Sequence, residues 1–251
     1  IAAQTGWDVL APLLLRPKVG ELLANTVLLV VLGVPLCVVV GVGSAWLVER
    51  SDLPGRRVWT VLLAAPLAVP AFVSSYAWVS VVPSIGGLGG GLLISTLAYS
   101  PLVYLPALAA LRGLDPALED AARSLGLTPF AVFARVVLPQ LRLAIWGGGL
   151  VVALHLLAEY GAFALIRFGT FTTAIMVQFR SSFAGPAPNG LGIVLTILCL
   201  LVLVFESSTR GSLRYARIGS GVAGQPTRTS LGPVTTPTTL LLLGYLAAAI
   251  G

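Results

Sequence analysis

The sequence predicts an all-α, polytopic transmembrane helical bundle of five spans plus the start of a sixth, and three observations carry that prediction. The chain is 57% hydrophobic and only 10% charged, against roughly 25% charged residues in a soluble domain. Its apolar residues gather into runs near the length of about 20 residues that a membrane-spanning helix needs. Its basic residues fall between those runs and never in the middle of one.

Taken in order, residues 1–20 mix Trp7, Asp8, Pro12, Arg16, Pro17 and Lys18 and read as an extracytoplasmic, interfacial arm. Apolar runs follow at about 22–48, 58–82, 88–111, 143–166 and 190–206, so residues 21–206 form the transmembrane domain. The fifth run is short and spans only if interfacial residues extend its ends. A linker over 207–239, rich in Ser, Thr, Gly, Pro and Arg, leads to residues 240–251, the truncated beginning of a further span. The opening Ile1 and the brief apolar end make both termini look cut from a longer chain.

Orientation follows from the basic residues, which concentrate on the cytoplasmic side of membrane proteins. Numbering the connections alternately leaves Arg16, Lys18, Arg167 and Arg180 on one side. The opposite side holds Arg50, Arg56, Arg57, Arg112, Arg123, Arg135, Arg142, Arg210, Arg214, Arg217 and Arg228, eleven of the fifteen Lys and Arg residues. That side is cytoplasmic and carries the loop 112–142. The net charge of +6 is thus a topogenic signal. Without aromatic–basic interleaving to stack bases, it implies no nucleic-acid partner.

Within that loop, Asp115–Pro139 reads as two short helices. Asp115 is a good N-cap and Pro116 suits the first helical position. Glu119 and Asp120 lie near the first turn, where the helix dipole favours negative charge. Leu118, Ala121, Ala122 and Leu125 form one narrow apolar stripe. Gly126 is placed to end the helix in a left-handed conformation, Thr128-Pro129 repeats the cap-plus-proline start, and Pro139 ends the second helix.

Asp120-Ala121-Ala122, then Gly126, then Val136 and Leu138-Pro139 resembles the EAA loop of ABC importer permeases. That family has Glu-Ala-Ala, Gly and Ile-x-Leu-Pro at this spacing, so Asp and Val here are mild departures. The resemblance implies a fold of the ABC importer permease type. It also implies a coupling helix that docks on a cytoplasmic ATPase through Leu118, Glu119, Asp120, Ala121, Ala122, Arg123, Leu125, Gly126, Leu138 and Pro139. Leu53-Pro54-Gly55-Arg56-Arg57, Glu159-Tyr160-Gly161 and the segment Arg167–Ile175 are similar to ferric-iron-type permeases. The partners so implied are two copies of the ATPase, an extracytoplasmic substrate-binding protein and a second permease half fused C-terminally. The membrane is the bacterial inner membrane, ATP and magnesium belong to the ATPase, and the transported solute is ferric iron, thiamine or another small solute.

Several spans are built to pack and to bend. Gly33, Gly41, Gly43 and Gly147 to Gly149 let helices approach closely. Pro66 and Pro70, then Pro101 and Pro106 around Tyr104, free backbone groups that only protein or a water-filled cavity can satisfy. His155 and Glu159, four apart, share a helix face in a continuous helix. An ionisable group at membrane depth faces a cavity or a partner. Glu159 therefore reads as a gate, a cation contact, an ion pair with Arg167, or a hydrogen bond that orients two helices. With Tyr160, Ser74 and Tyr104, this pair makes up the expected lining of a pathway.

An ion-gradient-driven secondary transporter or channel is the alternative, but it leaves the docking loop unexplained. Enzymatic chemistry finds no acid–base pair and no nucleophile arrangement. Lys18 is the sole lysine, which excludes a phosphate-binding Gly-x-x-x-x-Gly-Lys loop. Cys37 and Cys199 lie in apolar runs and read as packing residues, and no metal or cofactor is expected on this chain.

Overall fold

The computed structural model describes residues 16–182, 186–210 and 229–250. Most of the predicted arm, part of the 207–239 linker and Gly251 lie outside the described residues. Among the described residues the regular structure is helical. Three helices are long and apolar enough to cross a membrane, and counting three bent helix pairs as one span each gives up to six.

Helix α1 (Pro17–Arg50) has 34 residues and starts five residues before its apolar run, because Pro17 suits the first helical position. At 1.5 Å per residue it is about 50 Å long and outreaches a hydrocarbon core of about 30 Å. Leu22, Thr26, Leu29, Gly33 and Cys37 are buried at intervals of three and four, a single stripe that packs on the helices below.

The second apolar run is not one helix. Helix α2 (Arg56–Leu62) gives way to a tight turn over Ala65–Ala68, and α3 (Ala71–Val81) leaves at 88°. Pro66 and Pro70 sit in the break, where neither can donate the backbone hydrogen bond a continuous helix requires. The third run bends by 40° at Ser100, between α4 (Gly87–Tyr99) and α5 (Pro101–Arg112).

Helix α6 (Pro116–Ser124) and α7 (Pro129–Gln140) form the loop, followed by α8 (Arg142–Ala158). Pro139 does not end α7. A widened turn over Phe133–Val137 precedes it, so its missing N–H falls at the start of a fresh turn and costs little. The chain bends instead by 70°, at Leu141.

Helix α8 stops at Ala158, and Glu159 is extended with ψ 124°. His155 and Glu159 therefore do not share a helical face, contrary to the sequence expectation. A five-residue helix α9 (Gly161–Leu165) and α10 (Phe171–Ser182) follow. Helix α11 (Pro186–Arg210) has 25 residues, longer than its apolar run. Helix α12 (Thr235–Ile250), with the turn before it, forms a 19-residue apolar segment from Gly232 to Ile250. The sixth segment thus begins well before Leu240, since Thr and Pro, weak in hydropathy, serve as its first turn.

The core sits where α1, α5 and α8 meet. A Cβ on Gly41 would lie 2.7 Å from the Ser100 carbonyl oxygen and 2.9 Å from Tyr104 N. One on Gly148 would lie 2.9 Å from Val103 Cα. These two glycines let α1 and α8 press on the start of α5 from either side, the contact that drives association where lipid supplies no hydrophobic force. Helix α12 packs against α3, with Ser74 Oγ donating to the Ala249 carbonyl (3.1 Å) and Trp78 Nε1 to that of Ala248 (2.9 Å).

Candidate functional site

Two places in this frame gather polar chemistry. The first is the arginine-rich corner. Asp115 accepts a hydrogen bond from Ala117 N (2.9 Å) and starts α6, and Thr128 accepts one from Ala131 N (3.3 Å) and starts α7. Gly126 has φ +83°. Gly126 N donates to Arg123 O and Leu127 N to Ala122 O, the pair of bonds that caps a helix through a left-handed residue.

Helix α6 is held to the bundle by a charge pair. Glu119 is 5% exposed, and its Oε1 accepts from Arg50 Nε at 2.9 Å. Arg50 is 2% exposed and also donates to the Leu111 carbonyl at 2.8 Å. One guanidinium thus joins the end of α1, the end of α5 and the middle of α6, which its planar fork of donors suits. The segment before α12 is tied to the same corner, because Thr229 N donates to Arg50 O (2.8 Å) and Leu231 N to the Asp52 side chain at Oδ1 (2.8 Å).

The faces of α6 and α7 divide accordingly. Glu119 and Ala122 face the bundle and are buried, so these two of the expected docking residues are not on the open surface. Arg123 is half-buried, whereas Leu118, Asp120, Ala121, Gly126, Leu138 and Pro139 are exposed. Leu125 is 85% exposed and Phe130, which the sequence reading passed over, is 77% exposed. Large apolar side chains standing this far out next to a charged corner mark a surface that another protein can cover. Arg50 was also missed, because its partner lies 69 residues along the chain and no local spacing links them.

The second place is a cavity of about 300 Å³ among the broken spans. It is lined by Pro66, Val69 and Pro70 from the break in the second run, Tyr99 from the bend in the third, and His155 and Glu159 from the end of α8. Tyr99 Oη donates to Glu159 Oε2, and Glu159 Oε1 accepts from Ala162 N at 2.9 Å. His155 Nδ1 lies 2.9 Å from the Val151 carbonyl oxygen, and its ring is 5.4 Å from that of Tyr99. Since a carbonyl only accepts, Nδ1 carries a hydrogen, and Nε2 is the ring nitrogen not engaged by that bond.

The other expected pathway residues lie elsewhere. Tyr104 is buried in the core with its hydroxyl donating to Thr60 O (3.1 Å), and Ser74 is buried against α12. Their hydroxyls serve helix packing, because buried donors must find a partner. Tyr160 is half-buried and outside the residues that line the cavity. Tyr99, which does line it, was missed because a tyrosine in an apolar run gives no pattern signal.

The described residues thus form a bundle of apolar helices with an exposed, capped helix pair at its arginine-rich end. The chain belongs to the family described as binding-protein-dependent transport system inner membrane components, whose sequence profile matches residues 9–208. It is 37% identical over 221 residues to an Fe(3+)-transport system permease protein, FbpB 2, of Haemophilus influenzae, covering 88% of this chain and 44% of that protein. The chain therefore spans less than half the length of that relative. It is 28% identical over 201 residues to the sulfate transport system permease protein CysW of Synechocystis, covering 72% of this chain and 73% of that one. In fold it is similar to a chain of the inward-facing MetNI methionine ABC transporter, with a TM-score of 0.64 at 16% identity over 79% of this chain and 99% of that chain. The chain is a multi-pass membrane protein of this family.

Proposed function

We propose that this chain is the permease half of an ATP-driven importer, lying in a bacterial inner membrane, and that its α6–α7 surface is the coupling site for a cytoplasmic ATPase. The observation that carries this reading is the pinning of an outward-facing helix to two spans through Arg50 and Glu119. A force applied to α6 reaches the ends of α1 and α5 directly, because a buried, doubly bonded guanidinium leaves little slack. The remaining partners of this reading are a second ATPase copy, a second permease half and an extracytoplasmic binding protein. ATP and magnesium act in the ATPase.

The substrate proposed is ferric iron. Its support is the iron-transport relative, which is more similar than the sulfate permease. A carboxylate in the cavity at the span breaks suits a cation better than an oxyanion, since like charge disfavours entry. The test is ATP-dependent uptake of radiolabelled ferric iron into proteoliposomes that hold the full permease and its ATPase, supplied with iron-loaded binding protein. Uptake that requires all three components is expected. Uptake driven by an ion gradient without ATP would contradict the reading.

A further inference from the structure

The backbone breaks of three spans open onto one cavity. The second run breaks over 62–71, the third bends at Ser100 and α8 ends at Ala158. Residues from all three places line the same space of about 300 Å³. Irregular backbone at membrane depth survives only where protein or a polar cavity satisfies it, and broken helices are where transporters hold their cargo.

We infer that this cavity is a transit site for a hard metal cation, bound by Tyr99, Glu159 and His155. The inference rests on the importer reading and adds to it the residues that touch the cargo. The three side chains supply a phenol oxygen, carboxylate oxygens and an imidazole nitrogen, and oxygen and imidazole donors suit iron. The cation takes the place of the proton that now lies between Tyr99 Oη and Glu159 Oε2. As the metal–oxygen bond forms, the phenol O–H breaks and its proton leaves to water. No electron moves. His155 Nε2 completes the donor set, its ring held by the Nδ1–H bond to Val151, the kind of outer bond that fixes a ligating imidazole. Three protein donors are too few to close the coordination sphere of iron, which suits a site that a cation must leave as well as enter.

The experiment uses the purified permease–ATPase complex titrated with ferric citrate, read by the visible phenolate-to-iron charge-transfer band and in parallel by uptake. The wild type should show the band and take up iron. Tyr99→Phe should lose the band, and both Tyr99→Phe and Glu159→Gln should lower uptake by about tenfold or more. His155→Ala guards against a folding artefact, because His155 is exposed and its ring hydrogen bond runs to Val151 within its own helix. It should assemble normally, weaken iron binding and shift the band. Iron uptake in the wild type with no band, or with all three variants unimpaired, overturns the site and leaves the importer reading standing. ATP-driven uptake of another solute with neither iron uptake nor a band overturns the site together with the iron substrate. Absence of any ATP-driven uptake would instead strike the importer reading, and the band in the wild type alone would then still report on the site.

Discussion

At the scale of single residues, Arg50 and Glu119 carry the largest local stake. Both are buried, so truncating one leaves the other charged and unpaired in a dry place, at a cost of about 3–5 kcal/mol. Arg50→Met should therefore lower the thermal unfolding midpoint of the detergent-purified permease markedly. The double variant Arg50→Met/Glu119→Leu should recover most of that loss in the same scan, because it removes both charges. The recovered protein should still uncouple ATP hydrolysis from uptake if the pair transmits motion. Equal unfolding midpoints for wild type and Arg50→Met would show that the pair is solvated. The caps at Asp115, Gly126 and Thr128 were legible in the sequence because capping depends on a few adjacent residues. The Arg50–Glu119 and Tyr99–Glu159 pairs were not, because each joins residues some 60 or more positions apart.

At the scale of elements, α1, α5 and α8 are joined at Gly41 and Gly148, where backbone lies within 3 Å of any added Cβ. Gly148→Leu should force α8 off α5 and cost about 1–3 kcal/mol through overpacking, read as a lower unfolding midpoint. Gly43→Ala is the control, since nothing lies within 4 Å of its added Cβ, and it should unfold with the wild type. Equal midpoints for the Gly148 and Gly43 variants would remove the close approach from the account. The apolar runs were readable because a membrane imposes length and composition. The break in the second run was foreshadowed by Pro66 and Pro70. The end of α8 was hidden, because Ala162 to Ile166 prolong the apolar run past the point where the helix stops, and hydropathy does not register a change in backbone direction. The early start of α12 was hidden for the converse reason, since its first turn is polar.

At the scale of the whole molecule, α6 and α7 form an external handle on a bundle whose other ties run inward. Buried Glu119 and Ala122 hold the handle, and exposed Leu125 and Phe130 present it. The sequence located the handle but assigned its faces only in part, since an apolar stripe on a nine-residue helix does not say which edge meets the bundle. The most direct measurement is copurification of the ATPase with membranes that carry Leu125→Glu or Phe130→Glu, two changes at exposed positions outside the buried core of the described residues. The permease should insert at wild-type levels while the bound ATPase, and with it uptake, falls by about tenfold or more, as for a truncated interface anchor. Full retention of the ATPase and of uptake in both variants would contradict the claim that this surface couples hydrolysis to transport.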